Sequence, residues 1–228
     1  MSPNSIGILK ESTLHADLKK WYSLPTDRQE VPVDGFVIDI VRENLLIEIQ
    51  TGNFSSLIPK LQVLLNSYQL RLIYPIAIQK QIVMLDSNKE TIIRRRLSTK
   101  RGRVEDLFWE MLYIARYVLS ENFSFEVLFI HEEEYRYPAH RRRNWRKNWT
   151  VLDRKLISVL GSQTFRCGND YLELLTLDQP CYSNNEIAEQ LNLPIKLTRR
   201  MTYTLREMQV LEVVRKNGNT LLFSKRQA

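Results

Sequence analysis

Apolar residues recur along this chain in two rhythms, one of three to four residues and one of two. Leu14, Leu18, Trp21 and Tyr22 fall on one face of a helix over 11–22, and 54–66 and 103–119 carry the same helical stripe. Between the first two lie β-rich runs at 33–41 and 45–51, joined by the short Arg42-Glu43-Asn44 turn. Residues 70–78 and 125–130 are continuous apolar runs of the kind that forms buried strands, and 81–85 adds a short strand. This order predicts an α/β domain with a mixed sheet.

The second part of the chain has a different grammar. Residues 149–165 put apolar side chains at 149, 152, 156, 157 and 160 and predict a further helix. Ser183-Asn-Asn-Glu186 has the form of a capping box opening a helix, Leu193-Pro194 breaks the chain, and a second helix runs over 195–208. Two β-rich runs, 210–215 and 220–225, flank Asn217-Gly218, a strong hairpin signal. Helix, helix, helix, hairpin is the order of an α+β winged helix-turn-helix. The predicted organisation is therefore 1–139, a basic Arg/Trp linker at 140–149, and 150–228.

Charge sharpens this division. The 228 residues carry 33 Lys+Arg against 26 Asp+Glu. Residues 1–139 hold 17 and 18 of these, whereas 140–228 hold 16 and 8. A basic excess confined to one part of the chain suggests a polyanionic partner, here DNA. Arg141, Arg142, Arg143, Arg146 and Lys147 interleave with two tryptophans, a pattern suited to phosphates and stacked bases, or to a linker docking its rings. Lys196, Arg199, Arg200 and Arg206 on the second helix, with Arg215 and Lys216 in the hairpin, are the further candidate DNA contacts. A second basic run, Arg94–Arg103, lies in the balanced part and could hold a backbone near a site there.

Composition narrows the remaining classes. With 43% hydrophobic residues the chain can bury a core, and no apolar run nears the ~18–20 residues that cross a bilayer. The start, MSPNSIGILKES, lacks the charged and apolar regions of a signal peptide. Cys167 and Cys181 form neither a disulfide framework nor a metal motif, so a cytoplasmic protein is expected. No small-molecule substrate is evident. His15, His131 and His140 show no metal spacing and read as structural, and Glu132-Glu133-Glu134 reads as a solvated strand end.

The candidate chemistry lies in the first hairpin. Glu48 sits inside the apolar run Leu45-Leu-Ile-Glu-Ile-Gln50, where a carboxylate is costly unless it meets a cation or a metal. Glu48 and Gln50 share a strand face, and the neighbouring strand could bring Asp34 to the same spot. Asp39 is the second choice, because strand alternation sets it opposite Asp34; a turn role for Asp34, ahead of Gly35, is the competing reading. Two carboxylates with a main-chain carbonyl make a hard oxygen site for Mg²⁺ or Mn²⁺.

Asp34, then Glu48-Ile49-Gln50, then a Ser-rich turn into a helix resembles the core of the PD-(D/E)xK nuclease superfamily, over roughly residues 10–80. The whole chain resembles bacterial proteins that join such a core to a winged helix. The resemblance implies a restriction-endonuclease-like mixed sheet and metal-dependent hydrolysis of DNA phosphodiesters. It makes Asp34, Glu48 and the carbonyl of Ile49 metal ligands, and Glu11 an acid beside the metal. Gln50 departs from the usual Lys, a charge that Lys60 on the following helix could supply. The rival readings are a DNA-binding protein without catalysis and a subunit of a larger defence or transposition complex; a homodimer is left open.

Overall fold

A computed structural model describes residues 12–139, 148–175 and 179–226. Its centre is a seven-stranded mixed sheet. The strands are β1 (Arg28–Val33), β2 (Phe36–Arg42), β3 (Leu45–Ile49), β4 (Gln69–Leu85), β5 (Ile92–Leu97), β6 (Phe123–Pro138) and β7 (Trp149–Phe165). They lie in the order β1-β2-β3-β4-β6-β7, with β5 on the outer part of β4. The β1–β2 and β2–β3 pairs are antiparallel, β3–β4 and β4–β6 parallel, and β6–β7 antiparallel. This is the mixed-sheet α/β architecture expected from the alternation of strands and helices.

Helices cover the sheet unequally. On one face lies α1 (Thr13–Tyr22), whose Leu14 and Leu18 are fully buried against Ile40, Ile47, Ile49 and Ile73. The other face carries α2 (Ile58–Leu64) and α3 (Phe108–Met111), with Phe54, Leu61, Leu107 and Phe108 buried in the larger core. The helix expected over 103–119 is broken: 3₁₀ turns at Val104–Leu107 and Ala115–Leu119 flank a single α turn. Leu107, Phe108, Met111, Ile114 and Ala115 are still buried, so the apolar stripe is met by a segment that bends.

The largest correction concerns 149–165, which is a 17-residue strand rather than a helix. Its helical spacing of apolar residues is outweighed by β6, whose free edge it pairs along almost its full length. Backbone hydrogen bonding there overrides a local pattern. The expected division at 139 and 150 therefore shifts: Trp149–Phe165 belongs to the large sheet, and the second unit follows it. Residues 140–147, with Arg141, Arg142, Arg143, Arg146 and Lys147, lie outside the described residues.

The second unit consists of α4 (Gly168–Leu172), β8 (Tyr182–Ser183), α5 (Asn184–Gln190), α6 (Ile195–Glu207), β9 (Leu211–Asn217) and β10 (Thr220–Lys225). Ser183 and Glu186 form the expected capping box of α5: Glu186 N–H donates to Ser183 Oγ, and Ser183 N–H to the Glu186 carboxylate. The strands β8, β10 and β9 make a small antiparallel sheet. Both units share one core, in which Phe165 stacks on the fully buried Tyr171 at 4.5 Å. Arg103 bridges them by donating to the carbonyls of Leu191 (3.0 Å) and Asn192 (3.2 Å). Among the described residues no helix is long and apolar enough to cross a membrane.

Candidate metal centre and basic surfaces

The β2–β3 pairing runs through Arg42↔Leu45, Val41↔Leu46 and Ile40↔Ile47, and there it stops. Beyond Ile40 the strands part, and the Asp39 carboxylate fills the gap: its Oδ2 accepts the Ile49 N–H at 2.8 Å. Glu48 is the next residue on β3 and is buried. Lys60, on α2 after the Pro59 that opens that helix, donates to Glu48 Oε1 at 2.6 Å and to the Val37 carbonyl at 2.9 Å. Glu48 Oε2 is buried and makes no hydrogen bond of ordinary geometry, although the Asp39 N–H lies close enough to favour the ionised carboxylate.

From the opposite face α1 contributes His15. Ser12 caps α1 by accepting the His15 N–H, and Asp17 pins the helix to β7 by accepting the Leu156 N–H at 3.1 Å. The His15 Nε2 then lies 2.9 Å from the Ile49 carbonyl oxygen and 3.2 Å from Asp39 Oδ2. Sequence reasoning took this histidine as structural, since its contacts lie 24 and 34 residues away.

The electrostatics follow from this packing. Burial, joined by the negative charge of Asp39, pushes the Glu48 carboxyl up to about 7 against the opposing pull of Lys60. Burial also acts to raise Asp39, but the hydrogen bond and charge of His15, with the Ile49 N–H, hold it below the ordinary carboxylate value. Two neighbouring acids thus differ in proton affinity.

Asp34 is not part of this site. With Gly35 it forms the two-residue β1–β2 turn, at φ 47° and 84°, the positive values that Asp-Gly turns favour. Asp39 lies five positions further along the chain, about 16 Å when extended. The second-choice Asp39 is the acid that the parted strands bring to Glu48. Gln50 is also turned aside: its amide nitrogen donates to the Gly52 carbonyl in the turn before α2. Glu11 lies outside the described residues. The Glu132–Glu134 stretch is no solvated strand end, since Glu132 and Glu134 are buried and each pairs with Lys80 at 2.8 Å.

His15 Nε2, the Asp39 carboxylate and the Ile49 carbonyl meet on the α1 side, while Glu48 is held by Lys60 from α2 and acts on Asp39 through its charge; carboxylate and carbonyl oxygens of this kind suit a hard divalent cation. Among the described residues no cage of three or more His, Cys, Asp and Glu side chains is assembled. The third oxygen here comes from the main chain.

The expected DNA cations divide into two sets. Arg199, Arg206, Arg215 and Lys216 are exposed and enter no ion pair among the described residues. Arg200 is instead a brace: it donates to the Trp109 carbonyl at 2.7 Å and lies over that ring at 5.0 Å, with Lys196 at 5.9 Å. The bent segment at 108–111 occupies the face of α6 that sequence reasoning left to solvent.

Residues 12–166 match the model of a family described as Domain of unknown function (DUF8091). The chain belongs to that family. The matched DUF8091 segment ends one residue past β7, so it coincides with the large sheet and its helices and contains every residue of the pocket. A curated relative, an uncharacterized protein of Treponema pallidum (strain Nichols), is 29% identical over 163 residues, covering 71% of this chain and 64% of the relative. The chain thus spans a little under two thirds of that relative's length. No solved structure matches the chain.

Proposed function

We propose that the chain is a metal-dependent deoxyribonuclease whose centre is Asp39, Glu48 and the Ile49 carbonyl, with a winged helix-turn-helix at 166–226 that holds duplex DNA. The observation that carries the reading is the parting of β2 and β3, which leaves Glu48 Oε2 buried, without a hydrogen bond of ordinary geometry, beside a second carboxylate. A buried acid oxygen in that state is costly, and a cation relieves that cost. The order helix, antiparallel hairpin, helix, parallel strand around it is also that of the PD-(D/E)xK core, with Asp39 in the role first assigned to Asp34.

A divalent cation bound there would polarise the scissile phosphate and lower the pKa of a water molecule. The chain's own groups do the rest. Asp39, ionised at neutral pH, and Glu48, once deprotonated, supply the negative charge that holds the cation. Lys60, hydrogen-bonded to Glu48, neutralises excess charge in the position where the superfamily uses its motif lysine. His15, donating through Nε2–H, orients the Asp39 carboxylate and the Ile49 carbonyl. The second reading, DNA binding without cleavage, draws on Gln50, whose amide is engaged by the Gly52 turn instead of the pocket.

The test is incubation of supercoiled plasmid with Mg²⁺, Mn²⁺ or EDTA, beside Glu48→Gln. Metal-dependent nicking that the variant lacks supports the proposal. Intact plasmid in every lane, with DNA still bound, favours the second reading.

A further inference from the structure

β4 is paired by β3 along Gln69–Ile73 and by β5 along Gln81–Leu85. Between them no strand pairs this edge, and a cleft of about 550 Å³ lies over it. Thr51, three residues past Glu48, and Pro194, the N-cap of the 13-residue α6, both line it. The cleft therefore borders both the segment that follows β3 and the start of the helix proposed to read DNA.

Its cations are not equivalent. Lys80 and Arg136 are neutralised by the buried Glu132 and Glu134. Lys100, Arg101 and Arg154 line the same cleft and enter no ion pair among the described residues. Asp106, also in the wall, is capped by the Arg103 N–H at 2.9 Å.

The loop that carries Lys100 and Arg101 is held at both ends. Ser98 N–H donates to the Lys80 carbonyl at 2.8 Å, and Gly102 N–H to the Ala77 carbonyl at 2.9 Å. Gly102 packs so closely on β4 that a Cβ there would stand 2.6 Å from Ile76 Cγ2 and 2.8 Å from the Ala77 oxygen. The backbone is fixed while the two side chains are exposed to the cleft and to solvent.

We propose that this cleft is the track for the phosphodiester backbone of one DNA strand, running from the N-terminus of α6 to the carboxylates at the end of β3, with Lys100, Arg101 and Arg154 as its phosphate contacts. The assignment rests on the nuclease reading above for its direction. Unpaired cations on a fixed backbone lose little entropy on meeting phosphates, and the amide dipoles of α6 add positive potential at the far end.

The experiment measures binding of the full chain to duplex DNA in EDTA, across a salt series, for Lys100→Ala/Arg101→Ala/Arg154→Ala. A Lys20→Ala/Lys89→Ala/Arg116→Ala variant, which removes the same three charges at exposed sites elsewhere, controls for net charge. The triple variant is expected to bind about tenfold or more weakly and to lower the log–log salt slope by about two to three, at ~0.9 per phosphate lost. The control is expected to leave both unchanged. Gly102→Ala, which displaces the loop but keeps its charge, is expected to weaken binding with less change in slope. Affinity and slope like those of the native chain in a folded triple variant would overturn the proposal, as would tighter retention of RNA of the same sequence. A native chain that binds through these cations yet leaves plasmid intact with Mg²⁺ and Mn²⁺ supports the track and refutes the catalytic reading alone.

Discussion

Two aspartates five positions apart, one in the β1–β2 turn and one within β2, stand in environments that could hardly differ more. At the β1–β2 turn, Asp34 borders the larger cavity, about 790 Å³, with Arg28, Glu43, Ser67, Tyr68 and Asn122 among its neighbours. Within β2, Asp39 stands beside Glu48, one of whose oxygens is buried without a hydrogen bond of ordinary geometry, and a histidine bridges two oxygens. Roominess follows from where loops diverge. Chemistry follows from where polar groups are buried and left unsatisfied, because only there does a ligand recover a large desolvation cost.

The contrast is broken most severely through Glu48. Glu48→Gln keeps the shape and removes the charge; cleavage is expected to fall by at least two orders of magnitude, measured as plasmid nicking in Mn²⁺. Lys60→Met comes next. It leaves Glu48 without its cation, and at pH 8 a loss of about 2–4 kcal/mol is expected in urea unfolding. At pH 5 the same variant should lose less, because Glu48 then holds a proton.

The pH dependence itself is a smaller and sharper test. The folded chain raises the Glu48 carboxyl from 4.5 to about 7, so the folded state keeps a proton that the unfolded state has released. That contribution is present below about pH 4.5 and is lost as pH climbs through 7. In EDTA the melting temperature of the native chain should therefore fall between pH 5 and 8 by more than that of Glu48→Gln. Added Mn²⁺ should reverse the fall at pH 8 in the native chain only. At the β1–β2 turn the smallest effect is expected: Asp34→Gly, which relieves a positive φ, should change stability by no more than ~0.5 kcal/mol and leave cleavage intact.

What the sequence made legible was local. The Ser183–Glu186 box, the break at Pro194 and the Asn217-Gly218 turn are encoded within a few residues, and α5, α6 and the β9–β10 hairpin stand where those signals put them. The Asp34-Gly35 turn was legible for the same reason. The apolar spacing of 149–165 misled because a strand at the edge of a sheet answers to its neighbour, and β6 lies earlier in the chain with a gap of eight undescribed residues between. Glu48 was found by its conflict with an apolar run, a local signal. Asp39 ranked only second and His15 read as structural, since the parting of β2 from β3 and the approach of α1 depend on contacts across 10 to 34 residues. Arg200 reads as an exposed cation until Trp109 is brought beneath it.

The central claim is that the pocket built by Asp39, and not the turn built by Asp34, is the reacting centre. The most direct test sets Asp39→Asn beside Asp34→Asn in one plasmid-cleavage titration with Mn²⁺, each variant checked for native melting. The account predicts that Asp39→Asn abolishes nicking while Asp34→Asn cleaves at the native rate. Loss of cleavage in Asp34→Asn with Asp39→Asn unaffected would contradict it.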